Sequence, residues 1–135
     1  MVFLFGCQVS TTKLNDNQDK ILGQTISARF YDSLQKKDYR ATVPYFAKNF
    51  IKKIGVPILF KYYKQNEKSL GTISGISVSN CQTKATSNGA MLSKVFLINF
   101  IIKRTNGISK ERLILRSVNN EVPKIYTYQI QNQPN

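Results

Sequence analysis

Leu22, Ile26, Phe30 and Leu34 recur every four residues in the stretch from Asp19 to Phe50. That spacing keeps them near one face of an α-helix and predicts that they pack on the rest of the fold. Ala28 and Tyr31 widen the stripe. Asp16 is an N-cap candidate, with Asp19 three residues on and favourable near the positive helix end. Lys36 and Lys37 suit the last turn, where cations are favoured. Asp38 then offers a cap for a second, short helix carrying Val43, Phe46 and Tyr45, with Pro44 tolerated in its first turn. Ile51 to Gly55 reads as a connector. A third helix is expected from Pro57 to Leu70, since proline suits a first helical position and Gly71 suits the residue past the end. Leu59, Tyr63 and Leu70 share one of its faces, flanked by Phe60 and Tyr62. Lys61, Lys64 and Lys68 fall on another face at spacings of three and four.

From Thr72 the period changes to two. Ile76 and Val78 alternate with serines, and Ser87-Asn88-Gly89 signals a turn. Val95 to Ile102, VFLINFII, is the most apolar run and reads as a strand covered on both faces. Thr105-Asn106-Gly107 predicts a hairpin turn, because Asn-Gly accepts positive φ. Ile108 to Val118 is the next strand, with Leu113 and Leu115 on one face. Asn119-Asn120 turns the chain, and Val122 to Ile130 is the last strand, with Tyr126, Tyr128 and Ile130 on a common face. Three helices followed by four antiparallel strands predict an α+β domain with the helices on one side of the sheet. The division expected is 1–18 as the end of a leader and a polar tether, 19–131 as one domain, and 132–135 as a frayed tail.

The segment FYDSLQKKDYRATVPYF resembles the opening of small nuclear-transport-factor-two-like domains. In those domains a long first helix ends in an aromatic-polar segment. A turn with Asp-Tyr and a short helix ending in F-x-x-x-F follow; Phe46 and Phe50 have that spacing here. The resemblance covers roughly Asp19 to Gln131. It implies a curved, mainly antiparallel sheet wrapped on the long helix to form a cone, with a pocket between them. Some relatives bind or isomerise small hydrophobic molecules in that pocket, whereas others have filled it and serve as structural or docking modules. Phe30, Tyr31, Phe60, Tyr63, Phe96, Asn99, Phe100 and Tyr128 are the residues expected to line it. The plainer reading is that these aromatics are core, since aromatics dominate cores generally. Catalysis in relatives uses an Asp with Tyr or an Asp–His pair. The chain has no histidine, and Asp32 is expected to be exposed and paired with Lys36 at i+4. No catalytic residue, metal site or cofactor is therefore expected. An isomerase or dehydratase is the remaining enzymatic alternative.

Charge adds a second theme. The 135 residues carry 20 Lys and Arg against 7 acids, a formal net charge of +13. Attraction to something acidic follows, or else a merely solvated basic surface. The third-helix face of Lys61, Lys64 and Lys68, extended by Lys52 and Lys53, is the candidate contact for an anionic surface. Nucleic acid is not the expected partner, because the basic residues do not gather into one tract and no nucleic-acid motif occurs.

The first seven residues, MVFLFGC, are too short to cross a bilayer, which takes about 20 apolar residues. Leu4-Phe5-Gly6-Cys7 resembles the end of a bacterial lipoprotein signal, in which the cysteine becomes lipidated. Gln8 to Gln18 is rich in Ser, Thr and Asn, as a tether would be. No basic run precedes the apolar residues, which a start further upstream would explain. The alternatives for Cys7 are an ordinary apolar thiol or a disulfide with Cys81 in an oxidising compartment. Together these features predict a non-catalytic cell-envelope lipoprotein, anchored through Cys7 and facing the periplasm or cell exterior. Its expected partner is a protein, a small hydrophobic ligand, an anionic lipid or an envelope polymer, with a homodimer as a further arrangement. The alternative from another class is a structural periplasmic subunit of a secretion or conjugation machine.

Overall fold

The computed structural model describes residues 10–134. Four helices, α1 (Asn17–Gln35), α2 (Tyr39–Thr42), α3 (Lys48–Ile54) and α4 (Val56–Leu70), pack on an open antiparallel sheet. A single 3₁₀ turn, Val43–Tyr45, joins α2 to α3. The five strands are β1 (Ser10–Leu14), β2 (Ile73–Asn88), β3 (Met91–Arg104), β4 (Gly107–Val118) and β5 (Lys124–Pro134). Their order in the sheet is the order in the chain. The class is α+β, as expected, but with one helix and one strand more than the hydrophobic pattern predicts.

The extra elements have identifiable causes. Ser10–Leu14, inside the stretch read as a tether, pairs with Lys84–Asn88 of β2. Thr11, Thr12, Lys13 and Leu14 are all exposed, so the strand carries no apolar alternation for a sequence pattern to detect. Asn15 extends the pairing by one step: its backbone N–H donates to Thr83 O at 2.8 Å, and its Oδ1 accepts from Thr83 N at 3.0 Å. The connector over Ile51–Gly55 belongs to α3, which ends at Gly55, where φ is +88°. That left-handed turn separates α3 from α4 without a loop and explains why the break carries glycine. The tail read as frayed continues β5 as far as Pro134, opposite Gly107.

The α1 stripe is rotated from the one predicted. Ile26, Phe30 and Leu34 are buried, but Leu22 is 39% exposed. A strict four-residue repeat drifts about 40° per step around the helix, so Leu22 lies well away from Leu34. The buried face instead follows Gly23, Ile26, Ser27, Phe30, Tyr31 and Leu34. Gly23 sits against β3, and a Cβ there would meet Phe96 Cδ2 at 3.0 Å and Ile98 Cδ1 at 3.1 Å. Both predicted caps are made: Asp16 Oδ2 accepts from Asp19 N, and Asp38 Oδ1 accepts from Ala41 N. Asp19 also meets Lys94 Nζ of β3 at 2.8 Å, tying the start of the helix to the sheet.

Among the described residues, only one face of the sheet is covered. Phe96, Ile98, Phe100 and Ile102 of β3 are buried, while Val95, Leu97, Asn99 and Ile101 are half-exposed on the other face. The expectation of a strand covered on both sides is corrected accordingly. In β4, Ser109, Glu111, Leu113 and Leu115 alternate inward. A register shift between Ile114 and Leu115 sets Leu115 opposite Ile125 and Ile114 opposite Thr127. Tyr126 is the extra residue of this bulge and is 43% exposed, whereas Tyr128 turns inward. These two tyrosines therefore do not share a face.

Candidate functional site

Two places deserve a functional reading: the interior between helices and sheet, and a groove on the outside of α4. The interior is closed by aromatic rings. Phe30 is fully buried and meets Tyr31, Phe46 and Tyr128 edge to face at centroid distances of 5.0, 5.5 and 5.6 Å. Tyr31 meets Phe100 at 4.9 Å, and Phe60 stacks on Tyr63 at 6.1 Å. Phe30, Tyr31, Tyr63, Phe96 and Phe100 are buried; Phe60 and Tyr128 are half-buried against the same cluster. Asn99 is not among them. It lies on the outer face of β3, where Oδ1 accepts from Arg112 Nε at 2.9 Å.

At the base of this cluster sits Glu111, 2% exposed. Its Oε1 accepts from Tyr31 OH at 3.0 Å and from Tyr128 OH at 3.2 Å. Its Oε2 accepts from Ser109 Oγ and from Asn66 Nδ2 at 3.3 Å. Arg104 Nη2 stands 3.6 Å from Oε2, and Arg104 Nη1 donates to Gly71 O at 3.0 Å. A buried charge is tolerated when it is paired and its lone pairs are filled, and five elements supply the groups that do so here. The Tyr31 phenol is pushed well above its ordinary range, chiefly by burial and then by the negative charge of Glu111. Tyr128 moves the same way for the same reasons. The free space beside this network is about 10 Å³, lined by Leu34, Tyr39, Tyr63, Asn66, Ile73 and Arg104 among others. Asn66 Oδ1 and Arg104 Nε are buried without a hydrogen-bond partner among the described residues. That volume is about one water molecule's worth and holds no organic ligand.

The outer groove has about 600 Å³ between α2 and α4. Val56, Pro57 and Phe60 form its floor, and Arg40, Lys61, Lys64 and Lys68 line it. Lys61, Lys64 and Lys68 thus stand together as their spacing predicts. Lys52 and Lys53 lie in the last turn of α3, exposed, and do not line this groove. Arg40, which the sequence pattern did not single out, joins from α2. Glu67, the one acid of α4, pairs with Lys37 at 3.5 Å.

Across the described residues, five ion pairs engage five of the seven acids: Asp16, Asp19, Asp32, Glu67 and Glu111. The Asp32–Lys36 pair is the one expected at i+4, at 2.9 Å. A second surface groove, of about 710 Å³, also carries cations, namely Lys48, Arg116 and Lys124. There, however, Glu121 is present, Lys124 Nζ donates to Pro44 O, and Arg116 lies over the Tyr126 ring.

Cys81 is half-buried against the core; Cys7 lies outside the described residues. Among the described residues no helix is long and apolar enough to cross a membrane, and no three His, Cys, Asp or Glu side chains cluster as metal ligands would. Compared with known proteins, the chain matches no family model, no curated protein and no solved structure.

Proposed function

We propose that the chain is a non-catalytic cell-envelope domain, a nuclear-transport-factor-two-like cone with its interior filled, which binds an acidic component of the envelope through its outer surface. The observation that carries this reading is a contrast between two spaces. The interior offers about 10 Å³ beside Asn66, Arg104 and Tyr128, and the carboxylate they surround has both oxygens occupied by protein donors. The outer groove offers about 600 Å³ lined by four cations and no acid. A general acid or base needs a reacting atom within hydrogen-bond reach, and the Glu111 side chain is 0% exposed. The four cations, by contrast, have charge to share with a partner. The order of helices and strands supports the cone, and LFGC followed by a polar stretch supports membrane attachment through Cys7.

The test pairs two measurements on the purified full chain. Polyphosphate, standing for an acidic polymer, should bind and should be released as salt is raised, because screening shortens the reach of exposed charges. A small hydrophobic fluorophore should not be taken up. Stoichiometric uptake of the fluorophore, or absence of any polyanion binding, would overturn the proposal. Mass spectrometry of the protein from its source cells tests the anchor: a diacylglyceryl thioether at Cys7 is expected, and an unmodified Cys7 would remove the anchor from the reading.

A second reading rests on the uncovered face of the sheet. Val95, Leu97, Ile101 and Ile114 are half-exposed there, as they would be in a structural subunit that self-associates. Sedimentation of the full chain separates the two: a monomer at micromolar concentration removes this reading.

A further inference from the structure

The groove is one side of a wider surface. At 100° per residue, the outward arc of α4 runs from Lys64 through Pro57, Lys68, Lys61, Gln65, Ile58 and Ser69 to Tyr62, about 160° of the helix. Every one of these residues is exposed. The opposite arc, Leu59, Tyr63, Asn66 and Leu70, is buried, and Glu67 lies about 60° beyond Lys64, outside the arc, where it pairs with Lys37. The outward arc therefore holds three lysines and no acid. Beside the lysines stand two large apolar side chains, Ile58 at 48% exposure and Tyr62 at 54%. Arg40 adds a fourth cation across the groove from α2.

From this arrangement we infer that α4 docks flat on a bilayer containing anionic phospholipid. Lys61, Lys64, Lys68 and Arg40 meet the headgroup phosphates, and Ile58 and Tyr62 enter the interfacial zone. Charge complementarity selects an anionic partner. The apolar pair selects a membrane over a soluble anion, since a soluble anion in the groove would leave Ile58 and Tyr62 in water. Cations beside an aromatic and an aliphatic residue on one helix face are the composition that lies in a membrane interface. Lysine stems can lie along the apolar boundary while their ammonium groups reach phosphate. The inference rests on the surface-binding reading above and gives it a partner.

The experiment uses the full chain carrying Cys7→Ser, so that no acyl chain contributes. Binding is measured to phosphatidylcholine vesicles, to vesicles with phosphatidylglycerol added, and to soluble polyphosphate. Binding to the phosphatidylglycerol vesicles and not to pure phosphatidylcholine is expected. Each Lys→Gln change among Lys61, Lys64 and Lys68 should weaken it about fivefold, as expected for one cation near an anionic leaflet. Ile58→Ser with Tyr62→Ser should weaken vesicle binding about tenfold or more, from the loss of buried apolar area, while leaving polyphosphate binding unchanged. Far-UV circular dichroism confirms that each variant keeps its fold. Vesicle binding unaltered by the Ile58/Tyr62 change would overturn membrane docking and leave a soluble-anion site. Polyphosphate binding without vesicle binding would have the same meaning. Binding to neither would remove the surface-binding reading as well.

Discussion

Replacing Glu111 by alanine should be the most damaging single change in the interior. The Glu111 side chain is 0% exposed and that of Arg104 only 4%. Without the carboxylate, a guanidinium remains in the core with Gly71 O as its hydrogen-bond acceptor. Breaking a buried pair in this way costs about 3–5 kcal/mol. Tyr31, Tyr128, Asn66 and Ser109 each lose an acceptor as well, at about 1–3 kcal/mol for each donor that water entering the vacated space does not satisfy. A total of about 4–6 kcal/mol is a large part of the roughly 5–15 kcal/mol that holds a domain together. The control is to remove both charges. Glu111→Leu with Arg104→Met leaves neither ion stranded, so the double variant should be more stable than the sum of the single losses predicts, by about 2–3 kcal/mol. Urea unfolding followed by far-UV circular dichroism reads both effects, because the chain contains no tryptophan to serve as a fluorescent probe. With a slope of about 2 kcal/mol per molar urea, Glu111→Ala should lower the midpoint by about 2–3 M. A loss below about 1 kcal/mol, or strictly additive single and double variants, would refute the view that this network is what the interior is built around.

Alkaline pH should probe the same place. Tyr31 is held neutral by burial and by Glu111, so its folded pKa is raised. Its contribution to stability is intact below the unfolded value near 10 and is lost as pH rises from there toward the folded value. Tyr31→Phe should therefore make the fall in stability above pH 10 shallower by about 1.4 kcal/mol per pH unit, read by denaturant unfolding at a series of pH values. Phe30→Ala should cost about 3–5 kcal/mol, since the ring is 0% exposed and meets rings on every side; a loss under 2 kcal/mol would mean that the core collapses around the gap. Gly71→Ala should cost about 1–3 kcal/mol, because φ is +88° and a Cβ there runs into Thr105 Oγ1. Adding Thr105→Ala should recover part of that loss, as measured by thermal unfolding.

Much of the architecture could be read from local chemistry. The caps at Asp16 and Asp38 and the Pro57–Gly71 limits of the long basic helix are decided by the residues that form them, and the hairpin signal at Thr105-Asn106-Gly107 marks a turn made by Thr105 and Asn106. What escaped depends on partners far away in the chain. Ser10–Leu14 has no apolar alternation of its own and is a strand because Lys84–Asn88 lies beside it. Counting in twos sets Tyr126 on the face of Tyr128 and Ile130, and one bulged residue in β5 moves it off that face. Glu111 could have been found. Extending the Leu115–Leu113 alternation two residues back lands on it, and an acid at an inward position announces a buried network. Its donors could not be named in advance, because Tyr31, Asn66 and Tyr128 reach it from three other elements. Arg40 joins the lysines only through the turn that sets α2 against α4, which no spacing along α4 can reveal.

The sheet whose strands lie in chain order also has a consequence for how the chain folds. From Ile73 to Pro134 each strand pairs with the one just before it across a short turn, so the meander closes only small loops and can form early. The β1–β2 pairing, from Leu14 opposite Lys84 to Ser10 opposite Asn88, must wait until the whole helical layer is folded back. A substitution at the Thr105–Asn106 turn should therefore slow folding, whereas one in β1 should leave the folding rate alone and speed unfolding. The segment nearest the N-terminus of the described chain is then the last to lock into place and the first to let go.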